Sequence, residues 1–174
     1  MDLLRFASNN RTTITFAGII LLALFLFFGQ SFILLVLVAA SLVLSYFMGL
    51  WRIKSIGIEL VLLTSVVTGI LYGSLAGAVV AFLLITIHML ATQHVNVYLL
   101  WVIPAYAAAG YFAGTTELSI TNFGILATIG LNAFNLLVTA LVFRSNVAKF
   151  LPFAFTNVMF NSFLFMFVMP WVVS

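Results

Sequence analysis

The sequence predicts an all-α polytopic membrane protein, a transmembrane helical bundle of six to seven spans that forms one compact domain over residues 1–174. Of the 174 residues, 66% are hydrophobic and only 5% are charged, whereas a soluble domain carries about 25% charged residues. Long apolar runs, separated by short polar breaks, have the length of membrane-spanning helices. These runs are apolar all round, so they do not match the alternating pattern of transmembrane β-strands.

Seven apolar segments follow one another along the chain, and we expect each to form one span. They cover residues 13–28, 32–50, 56–72, 75–92, 97–113, 122–143 and 150–173. The first segment is at the short end of spanning length, so it could instead pair with the second as a shallow re-entrant hairpin. Arg5 and Arg11 before it resemble the start of a signal peptide, but the run is long for one and no Ala-x-Ala pattern follows.

The third and fourth segments predict a transmembrane hairpin. As one helix, residues 55–92 would extend roughly 55 Å, whereas the hydrocarbon layer is only about 30 Å thick. Tyr72-Gly73-Ser74 is the turn signal near the middle of this stretch. We therefore expect the chain to fold back there.

Small residues recur at four-residue spacing in several segments, and such ridges let membrane helices approach closely. We expect most of them to pack within the bundle and some to dock a partner protein. The ridge residues are Gly69, Gly73, Gly77, Ala105, Ala109, Ala113, Ser41, Ser45 and Gly49.

The basic residues predict the orientation in the cell membrane. With seven spans, all six lie on the N-terminal side, and Glu117 lies on the other side; a six-span arrangement would divide the basic residues between the two faces. The positive-inside rule makes the N-terminus cytoplasmic. The six basic residues are Arg5, Arg11, Arg52, Lys54, Arg144 and Lys149.

Two ionisable residues lie inside the predicted hairpin, where a charged group costs a few kcal/mol and needs a reason. Glu59 is about one turn inside its span. It is either an interfacial carboxylate paired with Arg52 or Lys54, or part of a binding site. His88 is about one turn from the end of its helix. It is either a neutral side chain hydrogen-bonded to a neighbouring helix, or a ligand or proton-relay group.

Two asparagine pairs occupy single helical faces of the last two segments. Antiparallel packing predicts Asn135 level with Asn157, and Asn132 level with Asn161, either as an interhelical hydrogen-bond ladder or as the lining of a solute cavity. Because successive spans alternate in direction, the polar residues collect in one half of the bilayer, which predicts a pocket open on one side. The candidate ligand-binding residues are Glu59, His88, Asn96, Trp101, Asn132, Asn135, Asn157 and Asn161.

Trp101 has a second interpretation, since it and Tyr98 could belong to the interfacial aromatic belt. No catalytic constellation is recognisable, because one intramembrane Glu and two His do not build a hydrolytic triad. His88 and His94 do not share a helical face, and the chain has no cysteine, so no metal site is expected. We expect that the protein is not an enzyme, needs no cofactor and binds no nucleic acid.

Residues Ile58-Glu59-Leu60 and the stretch from Thr68 to Gly77 resemble the S-components of energy-coupling-factor (ECF) vitamin transporters. Their second and third helices often meet at a turn with the pattern Gly, aromatic, Gly-Pro-x-x-Gly, and Ser74 stands here at the Pro position. The resemblance covers roughly residues 56–115. In size and hydropathy the chain also resembles the rod-shape-determining membrane protein D family.

Membership of the S-component family would imply a subunit embedded in the lipid bilayer that captures a small vitamin-like solute. It would work with a transmembrane coupling subunit and two ATPases. It would place ligand contacts at His88, Asn96, Trp101, Asn132 and Asn161, in a pocket that faces outward, opposite to the orientation indicated by the charges. The sequence therefore favours a small-solute binding and uptake subunit. The alternative is a non-transporting membrane scaffold in cell-envelope or cell-shape assembly.

Overall fold

The computed structural model describes residues 11–51, 56–93, 97–142 and 147–170, with side chains in the first helix described from residue 31 onward. This part of the chain is helical and contains no strand. A 3₁₀ turn, Val147–Lys149, precedes the last helix, which continues into a π-helical turn, Leu164–Val168. The six α-helices of the described residues are α1 (Arg11–Trp51), α2 (Val61–Tyr72), α3 (Ser74–Ala91), α4 (Leu99–Ala113), α5 (Ile120–Leu141) and α6 (Leu151–Phe163).

Four of the described helices are long and apolar enough to cross a membrane, which supports the predicted membrane class. They are Ser31–Trp51 within α1, Ser74–Ala91, Ile120–Leu141 and Leu151–Val168. The other two, α2 and α4, have 12 and 15 residues. At about 1.5 Å per residue they extend roughly 18 and 22 Å, less than the hydrocarbon layer.

The predicted count of six to seven spans is therefore not reproduced. The first two predicted segments both lie in α1, whose backbone is non-helical at Gly29, with a φ of 38° and a ψ of −106°, at the predicted break between them. Glycine reaches this left-handed φ without steric penalty. The third segment begins its helix only at Val61 because residues 56–60 are irregular.

By its internal contacts the chain divides into two compact units, residues 1–36 and residues 37–174. The described part of the first unit is the portion of α1 up to Val36. The second unit holds the rest of α1, helices α2 to α6 and the hydrophobic core.

Helix α2 is the centre of the second unit. All nine residues from Val61 to Gly69 are buried, and α2 packs against α3, α4 and α5. A helix that is apolar all round is suited to such a position. The hydroxyls of Thr64, Ser65 and Thr68 donate to the carbonyls four residues earlier at 2.6–2.7 Å, so they add no unsatisfied polar group.

Glycines allow α2, α3 and α4 to meet backbone to backbone. A Cβ added at Gly77 would overlap the carbonyl oxygen of Gly110, and one added at Gly69 would overlap the same oxygen. Ala113 also contacts Gly69, within the ridge that the sequence predicts for α4. This close packing is the geometry that small residues permit between membrane helices.

The remaining ridge residues divide between packing and turn formation. Ala105 is half-buried and Ala109 is buried in the core. Ser41 and Ser45 are buried, and Gly49 lies against the backbone of α3 at Ala91. Gly73 differs from the expectation for a packing residue, since it has open space where a Cβ would point and a φ of 92°. It separates α2 from α3 at the predicted turn.

Candidate functional site

A cavity of about 520 Å³ lies in the second unit, at the end where α3 and α5 finish and where α2, α4 and α6 begin. Its walls are largely apolar, with Ile85, Met89 and Leu136 among them. A mostly apolar cavity with a few polar groups is typical of small-molecule sites. The ionisable and amide side chains in its lining are Glu59, His88, Tyr98, Tyr106, Asn132, Asn135 and Lys149.

Glu59 is buried, with only 2% of its surface exposed, in the irregular segment before α2. Its Oε2 accepts a hydrogen bond of 3.0 Å from the backbone N–H of Leu62, in the first turn of α2. The N-terminus of a helix carries a partial positive charge and free N–H groups, so it stabilises a carboxylate there. The interpretation of Glu59 as an interfacial carboxylate paired with Arg52 or Lys54 stays a prediction, because both partners lie outside the described residues.

Three side chains from two other helices surround the second carboxylate oxygen. Glu59 Oε1 accepts hydrogen bonds from the Tyr106 hydroxyl of α4 at 3.3 Å, from Asn161 Nδ2 at 3.2 Å and from Asn157 Nδ2 at 3.4 Å. The carboxylate therefore connects α2, α4 and α6. Each of these donors is electrically neutral.

Asn157 also connects the irregular segment to α5. Its Nδ2 donates to the Gly57 carbonyl at 2.9 Å, and its Oδ1 accepts from Asn132 Nδ2 at 2.8 Å. The predicted alignment of Asn135 with Asn157, and of Asn132 with Asn161, is therefore wrong by about one helical turn. The asparagines of α5 and α6 do meet, but through a different pair.

The irregular backbone at Gly57 is satisfied by side chains of α6. The Gly57 N–H donates to Thr156 Oγ1 at 2.8 Å, while its carbonyl accepts from Asn157. Buried backbone groups need such partners. One polar atom of this region is left over: Asn161 Oδ1 is buried and has no hydrogen-bond partner among the described residues.

His88 lines the cavity from α3 and contacts α1. Its Nδ1 lies 2.9 Å from Ser45 Oγ, which also donates to the Ser41 carbonyl at 2.7 Å. A hydroxyl has a single hydrogen, so both contacts are satisfied when His88 Nδ1 carries a proton and donates it to Ser45. This is the interhelical hydrogen bond that one interpretation of His88 requires, and the same side chain is also exposed to the cavity.

Aromatic side chains surround the rim. Trp101 Nε1 donates to Asn135 Oδ1 at 3.0 Å, joining α4 to α5. The Tyr98 ring packs edge-on against Trp101, with centroids 4.8 Å apart, and against Phe150 at 5.8 Å. Tyr98, Phe150 and Phe153 contribute to the cavity wall.

The structure thus gathers most of the candidate ligand-binding residues in one region. Those exposed to the cavity are Glu59, His88, Asn132 and Asn135. The other candidates lie just behind that lining: Asn157 and Asn161 bond to Glu59, and Trp101 bonds to Asn135. Asn96 lies outside the described residues.

Sequence reasoning missed three polar members of the cavity lining, Tyr106, Thr139 and Lys149. Tyr106 stands in the middle of an apolar segment, and a mid-membrane tyrosine needs a partner for its hydroxyl. That signal could have placed it at the site. Lys149 was considered only as a topology marker.

Comparison of the chain with protein-family models, with curated proteins and with solved structures gives no significant match. The resemblance to S-components therefore rests on the residues quoted from the sequence.

The chemistry available is that of a binding site with several hydrogen-bonding types on apolar walls. The carboxylate and amide oxygens accept, the tyrosine hydroxyl and amide nitrogens donate, and the imidazole can do either. Among the described residues, no group of three or more His, Cys, Asp or Glu is arranged to hold a metal ion.

Proposed function

We propose that the protein is a membrane-embedded subunit that binds a small solute and needs a partner to energise uptake, without catalysing a reaction itself. The observation that carries this proposal is the cavity of about 520 Å³ with Glu59, His88, Asn132 and Asn135 in its lining. Cavities of about 300–1,000 Å³ enclose most of the surface of a small organic ligand. The resemblance to S-components adds the expectation of a transmembrane coupling subunit and ATPases.

Native mass spectrometry of the protein extracted from its own membranes tests the proposal. We expect a retained small molecule, together with associated coupling and ATPase subunits. Ala154→Phe adds a phenyl ring to the cavity lining and should abolish retention. Ala133→Phe is the matched control, because this exposed residue of α5 lies outside the lining. Equal retention by the wild type and Ala154→Phe would contradict binding in this cavity.

The direction of solute entry depends on membrane orientation. With seven spans, the basic residues predict a cytoplasmic N-terminus and a cytoplasmic Lys149 end, whereas the resemblance to S-components implies that the cavity faces outward. The chain has no cysteine, so single Glu117→Cys and Val147→Cys variants can be labelled with a membrane-impermeant maleimide on intact cells. We expect opposite labelling of the two positions. Labelling of Val147→Cys from outside would support capture from the external medium.

A scaffold role in envelope assembly is the second candidate, and the internal asparagine contacts favour it. Asn157 bonds to both Asn132 and Glu59, as expected of a residue that holds helices together. For a scaffold we expect no retained molecule and no ATPases, but reproducible cross-links to other envelope proteins. The same mass-spectrometry experiment therefore separates the two functions.

A further inference from the structure

The contacts of Glu59 indicate the charge of the solute. The carboxylate receives four hydrogen bonds, from the backbone of Leu62, the Tyr106 hydroxyl and two asparagine amides. An ionised carboxylate only accepts hydrogen bonds, and the Leu62 N–H and the two amide nitrogens can only donate, so these contacts fit the charged form. The negative charge is held in place but is not neutralised by these donors.

No described cation forms an ion pair with Glu59. Within residues 56–93, 97–142 and 147–170, its contacts are the four neutral donors. Two basic side chains line the cavity. Lys149 is exposed, in the 3₁₀ turn before α6, and His88 contacts Ser45. A buried charge that has only neutral partners among the described residues costs several kcal/mol in an apolar bundle, so a positive group that contacts Glu59 is bound favourably.

The cavity wall supplies a second, independent feature that suits a cation. Tyr98, Tyr106, Phe150 and Phe153 are all part of the lining. The faces of aromatic rings attract cations, and several rings around one pocket are typical of sites for organic ammonium groups. The apolar residues between them suit the hydrocarbon part of such a molecule.

We propose that the cavity binds a small organic cation, whose protonated nitrogen lies against the Glu59 carboxylate while its apolar part contacts the aromatic wall. This inference rests on the proposed solute-binding function and specifies the class of solute.

Three probes of nearly the same size test the charge preference: benzylamine, benzyl alcohol and benzoate. Each is titrated against the purified protein in detergent micelles while the thermal unfolding temperature is followed, and Ala154→Phe reports binding outside the cavity. We expect benzylamine to bind roughly tenfold or more tightly than benzyl alcohol, and benzoate to bind most weakly. Benzoate binding as tight as benzylamine binding would overturn the proposal.

Two variants assign the preference to its residue. Glu59→Gln keeps the size of the side chain, and it should reduce benzylamine affinity by roughly ten- to a hundredfold while changing benzyl alcohol little. Lys149→Gln removes an exposed like charge and should strengthen benzylamine binding by roughly two- to fivefold. If Glu59→Gln retains wild-type affinity for benzylamine, the proposal fails. If that variant does not fold, the wild-type probe series decides alone.

A failure of the cation inference can be distinguished from a failure of the proposed solute-binding function. Retention of a neutral or anionic molecule in native mass spectrometry would leave solute binding in place and refute the cation inference. No response of the wild type to benzylamine beyond that of Ala154→Phe would also refute it. The proposed function would still be judged by the retained molecule.

Discussion

Replacing Asn157 by alanine should be among the most destabilising single changes in the second unit. Asn157 is buried, with 1% of its surface exposed. It makes three side-chain hydrogen bonds: to the Gly57 carbonyl, to Glu59 and from Asn132. All three are lost in Asn157→Ala.

The expected loss follows from these contacts. Side-chain hydrogen bonds between membrane helices average about 0.6 kcal/mol each, so three account for about 2 kcal/mol. The Gly57 carbonyl is then left in a buried site without its donor, and an unsatisfied buried group costs about 1–3 kcal/mol. We expect a total loss of about 3–5 kcal/mol in the free energy of unfolding.

Unfolding by sodium dodecyl sulfate in mixed micelles measures this loss. The control is Asn122→Ala, because the Asn122 side chain is exposed at the start of α5; this variant should stay within about 0.5 kcal/mol of wild type. The double variant with Asn132→Ala should show a coupling energy of about 0.5–1.5 kcal/mol. If Asn157→Ala is no less stable than Asn122→Ala, the described network does not support the fold and the reasoning is refuted.

Three further predictions concern the packing of α2, α3 and α4 and the rim of the cavity. Gly110→Ala should destabilise the protein by several kcal/mol, because the added Cβ would overlap the backbone of Gly77. Its control, Gly130→Ala, has open space around the added Cβ and should be neutral or stabilising by up to about 1 kcal/mol. Equal stability of the two variants in the same unfolding assay would contradict the close approach of the helices. In Gly73→Ala the added Cβ meets no neighbouring atom, so the variant should lose only the strain energy of a non-glycine backbone at φ 92°, about 1–3 kcal/mol. Crystallography or labelling should show the turn unchanged. Trp101→Phe removes one hydrogen bond to α5 and should lower the free energy of unfolding by about 0.6 kcal/mol in the same titration. A loss above about 2 kcal/mol would contradict the assignment of a single interhelical hydrogen bond to Trp101.

Composition and the turn residues were sufficient to predict the helical membrane class and the turn between α2 and α3. The apolar segments predicted helices of membrane type, and four described helices have the required length and apolarity. The turn between α2 and α3 falls at Gly73, where a positive φ makes glycine the suitable residue. The break predicted between the first two segments coincides with the non-helical backbone of Gly29.

Burial and register were harder to predict, since an apolar stretch does not reveal which of its faces is covered. Nothing in the sequence marked α2 as a short helix buried on every side. The asparagine alignment failed because packing sets the depth of α6 against α5, and the residue count alone does not show it. Asn132 meets Asn157 and not Asn161.

The short length of α2 also explains why the polar residues lie together. Because α2 begins at Val61, the irregular backbone before it is placed inside the second unit, where its polar groups need partners. In membrane proteins such backbone is tolerated where it is buried in protein or lines a cavity. Thr156, Asn157 and the α2 N-terminus meet this need.

The need to satisfy the irregular backbone does not explain why Glu59 and Asn161 are present. Satisfying the backbone at Gly57 requires Asn157 and Thr156, but it does not require a buried carboxylate. Glu59 adds a negative charge without a described cation, and Asn161 leaves a buried oxygen unpaired. Burying a charge in an apolar bundle is costly. Glu59→Gln should therefore weaken solute binding more than it weakens the fold, an outcome that a scaffold role does not predict.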